Sequence, residues 1–204
     1  MPMGPISSNY SGNACSNVLT DNHGLKVTES SLPGALILEP RVFEDDRGFF
    51  LESYHERSMA AIGIHARFVQ DNHSYSRRNV LRGLHYQVNP SQGKLVRVVT
   101  GEIFDVIVDL RRSSATFGKW FGVNLSAENR QMLWVPLGFA HGFYVISDGA
   151  HVLYKATDFY APQSERTIVW DDPHLAIEWQ LTERPIVSEK DSKGIRFSDA
   201  ETFA

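Results

Sequence analysis

Hydrophobic and polar residues alternate within short segments of this chain, and the segment 103–110 shows the alternation most clearly. Its even-numbered residues, from Phe104 to Leu110, are all apolar, whereas its odd-numbered residues include Asp105 and Asp109. A period of two places alternate side chains on opposite faces of a β-strand. We therefore predict a strand here, with one apolar face and with both aspartates on the other face.

Turn-forming residues separate many such segments from Leu25 onward. They lie at 45–48, 89–90, 100–101, 147–149 and 171–173. Short strands divided by turns are typical of β-sandwiches and barrels. One short helix is predicted from Ser58 to Gly63, where the glycine would end it, and another near the C-terminus. The expected fold class is all-β, a jelly-roll sandwich or barrel with a few short helices.

The first 22 residues differ in composition from the rest of the chain. They are rich in Ser, Asn and Gly and carry only scattered apolar side chains. These are too few to offset the ~1 to 2 kcal/mol that ordering each backbone residue costs. The sequence therefore predicts a flexible leader over 1–22, followed by one domain over 23–204. A chain of 204 residues that is 42% hydrophobic can bury one sizeable core.

Charge and cysteine content narrow the possible functions. A formal net charge of -4 and a pI near 6.0 argue against a general nucleic-acid binder, since such proteins concentrate Lys and Arg. Cys15 is the only cysteine, which excludes an intrachain disulfide and a Cys-rich zinc site. The sequence has no signal-peptide pattern and no run of about 18 apolar residues. We expect a cytoplasmic protein that does not enter a membrane.

A histidine and two cations share one part of the strand pattern. His85 follows Arg82 in L-R-G-L-H-Y-Q (81–87), and Lys94 comes shortly afterwards. Histidine has an unperturbed pKa near ~6.5 and can accept a proton at neutral pH, while nearby cations could stabilise the negative charge formed next to a carbonyl. Judged alone, three ordinary polar side chains on a strand are the simpler interpretation.

Other side chains could complete a proton-transfer site. Inverting a carbon centre needs an acid on the face opposite the base, and a tyrosine stays protonated at pH 7. Tyr154 and Tyr160 lie on a strand-like run, and Asp191 could orient a histidine. The residues alone leave open that the tyrosines are core aromatics and that Asp191 is a surface acid.

A metal site is the main alternative use of the histidines. His141 lies in an aromatic-rich bend, 134–144, that could line a pocket, although a buried histidine bonded to backbone fits this position as well. Histidines on barrel strands often bind iron or zinc. A metal pattern needs a His or Glu two residues after His85, and Gln87 stands there. We therefore predict no metal.

Several segments of the sequence, in this order along the chain, are similar to segments of known proteins. They are D-D-R-G-F-F-L-E-S-Y (45–54), F-V-Q-D-N-H-S (68–74), N-V-L-R-G-L-H-Y-Q (79–87), Q-G-K-L-V-R (92–97), G-E-I-F-D-V-I-V-D-L-R (101–111), F-G-K-W-F-G-V-N-L-S-A-E-N (117–129), V-P-L-G-F-A-H-G-F (135–143), L-Y-K-A-T-D-F-Y (153–160) and S-E-K-D (188–191). Together they resemble the dTDP-4-dehydrorhamnose 3,5-epimerase family over about residues 33–191. The resemblance implies a cupin-like jelly roll without metal or other cofactor, and a homodimer that exchanges N-terminal strands.

The resemblance also implies residue roles for converting dTDP-4-dehydro-6-deoxy-D-glucose to dTDP-4-dehydro-L-rhamnose. His85 would be the base at C3 and C5 of the 4-keto sugar, with Asp191 orienting its imidazole. Tyr154 would be the acid on the opposite face, and Lys94 would lie near the 4-keto oxygen. The implied ligand contacts are Arg47, Glu52, Gln70, Asn72, Arg82, Lys94, His141, Tyr160, Glu165 and Lys190. Among them, Tyr160 would stack on thymine, and the Arg47 segment would reach the neighbouring subunit's site.

Two features depart from the family pattern, namely the longer leader and Phe159, where a second tyrosine is common. A mono-epimerase of a related deoxysugar pathway is therefore an alternative, because Phe159 could change the sugar contacts. A non-catalytic sugar-nucleotide binding module is a second alternative, but binding alone does not require the proposed catalytic set. A metal-dependent cupin oxygenase is a third, and the absent metal pattern argues against it.

Overall fold

The computed structural model describes residues 18–20 and 24–204, and strands dominate them. The strands are β1 (Val18–Thr20), β2 (Lys26–Glu29), β3 (Leu36–Glu39), β4 (Val42–Asp45), β5 (Gly48–Leu51), β6 (Gln70–Arg77), β7 (Leu81–Gln87), β8 (Lys94–Thr100), β9 (Glu102–Asp109), β10 (Trp120–Ser126), β11 (Met132–Val135), β12 (Phe139–Val145), β13 (Gly149–Ala156) and β14 (Glu165–Thr167). The helices are α1 (Glu56–Ala61) and α2 (Glu189–Ser192), with short 3-10 turns at Pro162–Ser164 and Phe197–Asp199.

The strands form two large antiparallel sheets and one hairpin. The seven-stranded sheet has the order β1-β2-β3-β11-β8-β13-β6, the five-stranded sheet has the order β10-β9-β12-β7-β14, and β4 pairs with β5. Neighbours within each sheet are often distant in sequence, because the chain crosses repeatedly between the sheets, as in a jelly roll. The predicted all-β fold class is confirmed.

An apolar core fills much of the space between the two large sheets. Val96 and Val152 enter it from the seven-stranded sheet, and Ile103 and Phe143 enter it from the five-stranded sheet. Fully burying a side chain of this kind contributes about 1.5–3 kcal/mol relative to exposing it. The core therefore fixes the spacing of the sheets, and with it the geometry of the polar side chains that face the same space.

Both sheets are covered on their outer faces as well. Met59 and Ile64, in and just after α1, pack on the seven-stranded sheet. Leu175, Trp179 and Phe197 of the C-terminal segment pack on the five-stranded sheet, where they meet the apolar face predicted for β9. The alternation predicted for β9 is therefore observed, and both of its faces are buried.

The helix expected at 58–63 is present, but it begins two residues earlier than predicted, at Glu56. The cause is the side chain of His55, whose Nδ1 accepts a hydrogen bond from the backbone N–H of Ser58 at 3.2 Å and so caps the first turn. Gly63, with a φ of +87°, lies just beyond the helix end, as expected. The short C-terminal helix is α2.

The predicted leader over 1–22 lies outside the described residues except for β1. That strand pairs antiparallel with β2, through Val18 opposite Thr28 and Thr20 opposite Lys26. Among the described residues, no helix is long and apolar enough to cross a membrane.

Candidate active site

Strand alternation brings polar side chains from both sheets into the space between them. Lys94 on β8 and Tyr154 on β13 share the inward face of the seven-stranded sheet with core residues. On β7, Leu84 and Tyr86 pack outward against the C-terminal segment, so His85 between them faces inward. Three of the predicted catalytic residues therefore project into one space from opposite sheets.

His85 is paired with an aspartate that lies far along the chain. Its Nε2 donates a 2.5 Å hydrogen bond to Oδ1 of Asp191, which leaves Nδ1 able to accept a proton. The His85 side chain is 28% exposed, whereas that of Asp191 is 4% exposed. Burial alone would raise the pKa of Asp191, but the hydrogen bonds from His85 and Ser188 outweigh it and lower that pKa. Asp191 therefore stays a carboxylate that orients the imidazole.

A short helix and a close contact between strands hold Asp191 in place. Ser188 caps α2, and its Oγ accepts from the N–H of Asp191 at 3.0 Å. The Asp191 carboxylate also accepts a hydrogen bond from the backbone N–H of Gly83. Gly83 has a φ of +117°, and a Cβ there would lie 2.6 Å from the Cα of Gly142. Only glycine suits this position, because β7 and β12 approach each other so closely.

Lys94 and Tyr154 stand on neighbouring strands, with the ammonium nitrogen 6.0 Å from the centre of the phenol ring. Enclosure between the sheets lowers the pKa of Lys94 to about 8, against the opposing effect of Asp105 and Glu165. Burial raises the pKa of Tyr154, and the charge of Glu165 raises it further. At neutral pH the site therefore holds an ammonium group and a protonated phenol.

Glu165 joins two further predicted contact residues beside His85. Its Oε2 accepts a hydrogen bond from Tyr160 Oη at 2.7 Å and lies 2.5 Å from Lys190 Nζ. Burial alone would raise the pKa of Glu165, but Lys190 and Tyr160 outweigh it and lower that pKa. Because β14 pairs with β7, this network lies alongside the strand of His85.

Gln70 and Asn72 occupy alternate positions on β6, next to the strand of Tyr154. Gln70 donates from Nε2 to Asn72 Oδ1 and accepts at Oε1 from the N–H of Tyr160, both at 2.9 Å. The Nδ2 of Asn72 is buried and has no hydrogen-bond partner among the described residues. Leaving a buried donor unpaired costs about 1–3 kcal/mol, so a ligand oxygen at this position would be stabilising.

Three further predicted contacts, Arg82, Arg47 and Glu52, lie at exposed positions. Arg82 donates from Nε to Ser76 Oγ at 2.8 Å. Arg47, at the tip of the β4–β5 hairpin, pairs with Asp45, and its side chain is 90% exposed. Glu52 follows the hairpin and is exposed as well. Within residues 18–20 and 24–204, no hydrogen bond or ion pair joins Arg47 or Glu52 to the inward-facing group.

His141 lies opposite His85 in the pairing of β12 with β7, but a different carboxylate holds it. Its Nε2 is 2.7 Å from Oδ1 of Asp105. His141 is only 7% exposed, and Asp105 is fully buried at 0%. Alternation along β9 indicated that Asp105 faces away from the apolar side of the strand, but no feature of the sequence indicated that it meets His141.

Gln87 is a second residue whose role the sequence did not reveal. It is buried, donates from Nε2 to the carbonyls of Pro90 and Phe159, and accepts at Oε1 from the N–H of Ala161. These bonds fix the loop that carries Tyr160. The only available signal was its spacing of two from His85, which placed it on the same face of β7. Phe159 itself is 64% exposed.

This arrangement suits proton transfer at a carbon next to a carbonyl. His85 can act as a base from one sheet, Tyr154 can act as a protonated acid from the other, and Lys94 can place a cation near an enolate oxygen. Within the part of the chain that the structure describes, no three His, Cys, Asp or Glu side chains are grouped so as to hold a metal ion.

Comparison with known proteins gives one consistent family. A family model described as dTDP-4-dehydrorhamnose 3,5-epimerase matches residues 29–199. The dTDP-4-dehydrorhamnose 3,5-epimerase of Pseudomonas aeruginosa is 58% identical over 180 residues, which cover 88% of this chain and 99% of that protein. The crystal structure of a Legionella pneumophila 3,5-epimerase in complex with dTDP-4-keto-L-rhamnose has a TM-score of 0.84 and 48% identity, covering 87% of this chain and 95% of that chain.

A mono-epimerase is also structurally similar, at lower identity. The structure of a 3'-monoepimerase from Streptomyces bikiniensis in complex with dTDP-quinovose has a TM-score of 0.78 and 33% identity. It covers 83% of this chain and 86% of that chain. The fold is therefore common to enzymes that invert one carbon and enzymes that invert two.

Proposed function

The chain belongs to the dTDP-4-dehydrorhamnose 3,5-epimerase family, and we propose how its own residues carry out that reaction. It is an isomerase that converts dTDP-4-dehydro-6-deoxy-D-glucose to dTDP-4-dehydro-L-rhamnose. The reaction inverts C3 and C5, which flank the 4-keto group, so a proton must leave each carbon and another must reach its opposite face. One observation supports the proposed roles: His85 and Tyr154 project from opposite sheets into the same space.

His85 is the proposed base at both carbons. Its Nε2 is held by Asp191, so Nδ1 is the nitrogen that takes the proton. The imidazolium that forms lies 2.5 Å from a carboxylate that is itself kept ionised by its other hydrogen bonds. Asp191 thereby favours the charged form that proton removal produces, and it also fixes the direction of the ring.

Lys94 and Tyr154 complete the proposed proton transfer. Removing a proton next to the ketone places negative charge on the 4-keto oxygen, and a preorganised ammonium group stabilises that charge. The phenol of Tyr154 then delivers its proton to the carbon from the side opposite His85. The raised pKa of Tyr154 keeps the phenol protonated until the enolate forms.

The nucleotide end of the substrate has its own set of proposed contacts. Tyr160, Glu165 and Lys190 form one network beside His85, and Asn72 offers an unpartnered buried donor. Arg82 presents an exposed guanidinium, a group suited to binding phosphate oxygens in pairs. We propose that these residues bind the dTDP portion while the sugar lies between His85 and Tyr154.

We also propose a homodimer with exchanged N-terminal strands, in which Arg47 serves the partner's site. Phe43, Phe49 and Phe50 of the β4–β5 hairpin are 50–68% exposed, which is unusual for a cluster of large aromatics. Arg47 at its tip pairs only with Asp45 among the described residues. A hairpin that is exposed and apolar in one chain, with a cation at its end, is suited to packing against a second subunit. A metal-free reaction and a cytoplasmic location remain predictions from the sequence.

Complementation between two variants tests the role of Arg47. Co-expression of His85→Gln with Arg47→Ala should restore about a quarter of the wild-type rate, because about half of the randomly paired dimers are hybrids with one complete site each. Each variant alone should be strongly impaired. Absence of any recovery would show that Arg47 acts within its own subunit, and full activity of Arg47→Ala alone would show that the reaction does not need Arg47.

Deuterium exchange tests the assignment of base and acid. In deuterated buffer the wild-type enzyme should place deuterium at both C3 and C5, and exchange at one carbon only would favour a mono-epimerase. Tyr154→Phe should keep exchange into recovered substrate, because His85 still removes and returns the proton, but product formation should fall about 100-fold or more. Tyr75→Phe, at an exposed tyrosine on the neighbouring strand, is the matched control. Full epimerase activity in Tyr154→Phe would contradict the assignment of the acid.

A further inference from the structure

Asp105 is an unusual residue because it is a fully buried carboxylate with an unpaired oxygen. Its Oδ1 lies 2.7 Å from His141 Nε2, but its Oδ2 is buried and has no hydrogen-bond partner among the described residues. An ionised group in such a position is costly unless another charge compensates it. A single imidazole contact leaves much of that charge available to act on other groups.

Lys94 faces the same space as Asp105. Asp105 lies between Ile103 and Ile107 on the inward face of β9, and Lys94 shares the inward face of β8 with Val96. Within the part of the chain that the structure describes, its ammonium forms no ion pair, and the nearest aromatic contact is the Tyr154 ring, 6.0 Å away. The charged groups that act on it are Asp105 from β9, Glu165 from β14 and Lys190 from α2. An isolated ammonium enclosed between two sheets tends to lose its proton.

Glu165 is the less effective of the two carboxylates that could hold the charge on Lys94. Its Oε2 is already shared by Tyr160 and by the cation of Lys190, 2.5 Å away. The attraction of Glu165 for Lys94 is therefore opposed by the repulsion of Lys190. Among the described residues, the only basic side chain that pairs with Asp105 is the imidazole of His141, so the charge of Asp105 is less compensated than that of Glu165.

We propose that Asp105 is a positioning residue for the reaction: its buried carboxylate, fixed by His141, keeps the Lys94 side chain in its ammonium form. The ammonium stabilises an enolate much more than a neutral amine does, because the amine offers only weak N–H donors and no charge. The inference rests on the proposed role of Lys94 and extends it to a residue that does not touch the substrate. His141 acts here by orienting Asp105 and not as a base.

Direct measurement of the Lys94 pKa tests this inference without relying on activity. The enzyme is labelled with 13C-lysine, and the Lys94 signal is assigned by its loss in Lys94→Arg. In Asp105→Asn the pKa of Lys94 should fall from about 8 by about one unit or more. Asp105→Ser removes the same charge with a smaller side chain and serves if the first variant does not fold. His141→Gln keeps an N–H donor for Asp105 and should leave the pKa of Lys94 nearly unchanged.

The pH dependence of kcat/KM gives a second readout that a purely structural defect would not produce. With a pKa lowered by one unit, Asp105→Asn should match the wild-type enzyme near pH 6 and fall roughly fivefold below it at pH 8. Asp109→Asn is the control, because Asp109 is equally buried on the same strand but is bonded to Arg111. It should lower the amount of folded enzyme without changing the shape of the pH profile.

The outcomes separate this inference from the proposed function. A Lys94 pKa that is unchanged or higher in both Asp105 variants would overturn the inference, whatever their activity. A loss of rate that is equal at every pH would also overturn it. If Lys94→Met retained full activity, the proposed role of Lys94 would fail, and the catalytic part of this inference would fail with it.

Discussion

Two histidine–aspartate pairs lie side by side in this protein, and they differ in access and in how their carboxylates are satisfied. His85 and His141 face each other across β7 and β12. In the first pair the imidazole is 28% exposed, and Asp191 accepts hydrogen bonds from a serine and a glycine in addition to the histidine. In the second pair the histidine side chain is 9% exposed, and one oxygen of Asp105 has no partner among the described residues.

These two pairs show that a histidine–aspartate pair is not by itself a catalytic unit. A base must reach the substrate. Of these two histidines, only His85 has both a nitrogen that can accept a proton and a side chain exposed to the space between the sheets. A buried pair with an unsatisfied carboxylate can still matter, because its charge acts over several ångströms in a medium of low dielectric. In our proposal the first pair therefore moves protons, and the second keeps the charge on Lys94.

Matched substitutions of the two histidines give the largest expected effect, and they test most directly whether the two pairs have different roles. His85→Gln should lower kcat by about 10³- to 10⁴-fold and abolish deuterium exchange, because the base is lost. The loss of kcat in His141→Gln should be at least tenfold smaller than in His85→Gln, because the glutamine amide can still donate a hydrogen bond to Asp105. Steady-state kinetics and exchange measured on both variants check this. Equal losses would show that the two pairs do not have different roles.

The sequence indicated the strands of this site more readily than the hydrogen-bonded pairs that its side chains form. Period-two alternation placed the apolar and acidic positions of β9 on opposite faces, and the same rule puts His85 on the inward face of β7. The pairing of His85 with Asp191, by contrast, joins residues 106 positions apart, and only the resemblance to a known family indicated it. No local pattern specifies a contact that depends on how β7 and a four-residue helix pack together.

Asp105 and Asp109 show why the sequence left one role undetermined. Both lie on β9, both occupy odd-numbered positions, and both are fully buried. Asp105 forms a hydrogen bond with His141. Asp109 accepts hydrogen bonds from Arg111 and from the hydroxyl groups of Ser114 and Thr116. The spacing that places them on one face is the same for each, so the difference arises from neighbours on other strands and loops.

Asp109 is a contrasting case, because it is a buried carboxylate whose two oxygens both accept hydrogen bonds. Burial alone would raise its pKa, but the hydrogen bonds from Arg111, Ser114 and Thr116 outweigh it and bring the pKa to about 2. Asp109→Asn should lower the free energy of unfolding at pH 7 by about 2–3 kcal/mol, since it leaves Arg111 without its anion. Urea unfolding measures this. Glu39→Gln, in the exposed pair with Lys26, is the control and should cost no more than about 0.5 kcal/mol.

The pH dependence of that stability has a definite sign. The pKa of Asp109 is lower in the folded chain than the ordinary value of 3.8. The contribution of the Asp109 charge to the free energy of unfolding is therefore fully present above about pH 4, and it is lost as the pH falls toward 2. The difference in the free energy of unfolding between wild type and Asp109→Asn should therefore decrease over that pH range. A difference that stayed constant down to pH 2 would mean that packing, and not the charge of Asp109, accounts for the loss.

The smallest expected effect concerns the way each pair is held in place. Asp105 and His141 are fixed by two long central strands, whereas Asp191 depends on α2, a helix of four residues capped by Ser188. Ser188→Ala removes both that cap and a hydrogen bond to the Asp191 carboxylate. Losing an N-cap costs about 1 kcal/mol, so kcat should fall roughly 5- to 10-fold while KM changes little. Ser192→Ala is the control. Within the described ranges, the Ser192 hydroxyl on the same helix bonds only to the carbonyl of Glu189, so this variant should behave like wild type. An equal loss in both variants would attribute the effect to the helix as a whole, and an unchanged kcat in Ser188→Ala would show that Asp191 is held by His85 and Gly83 without its cap.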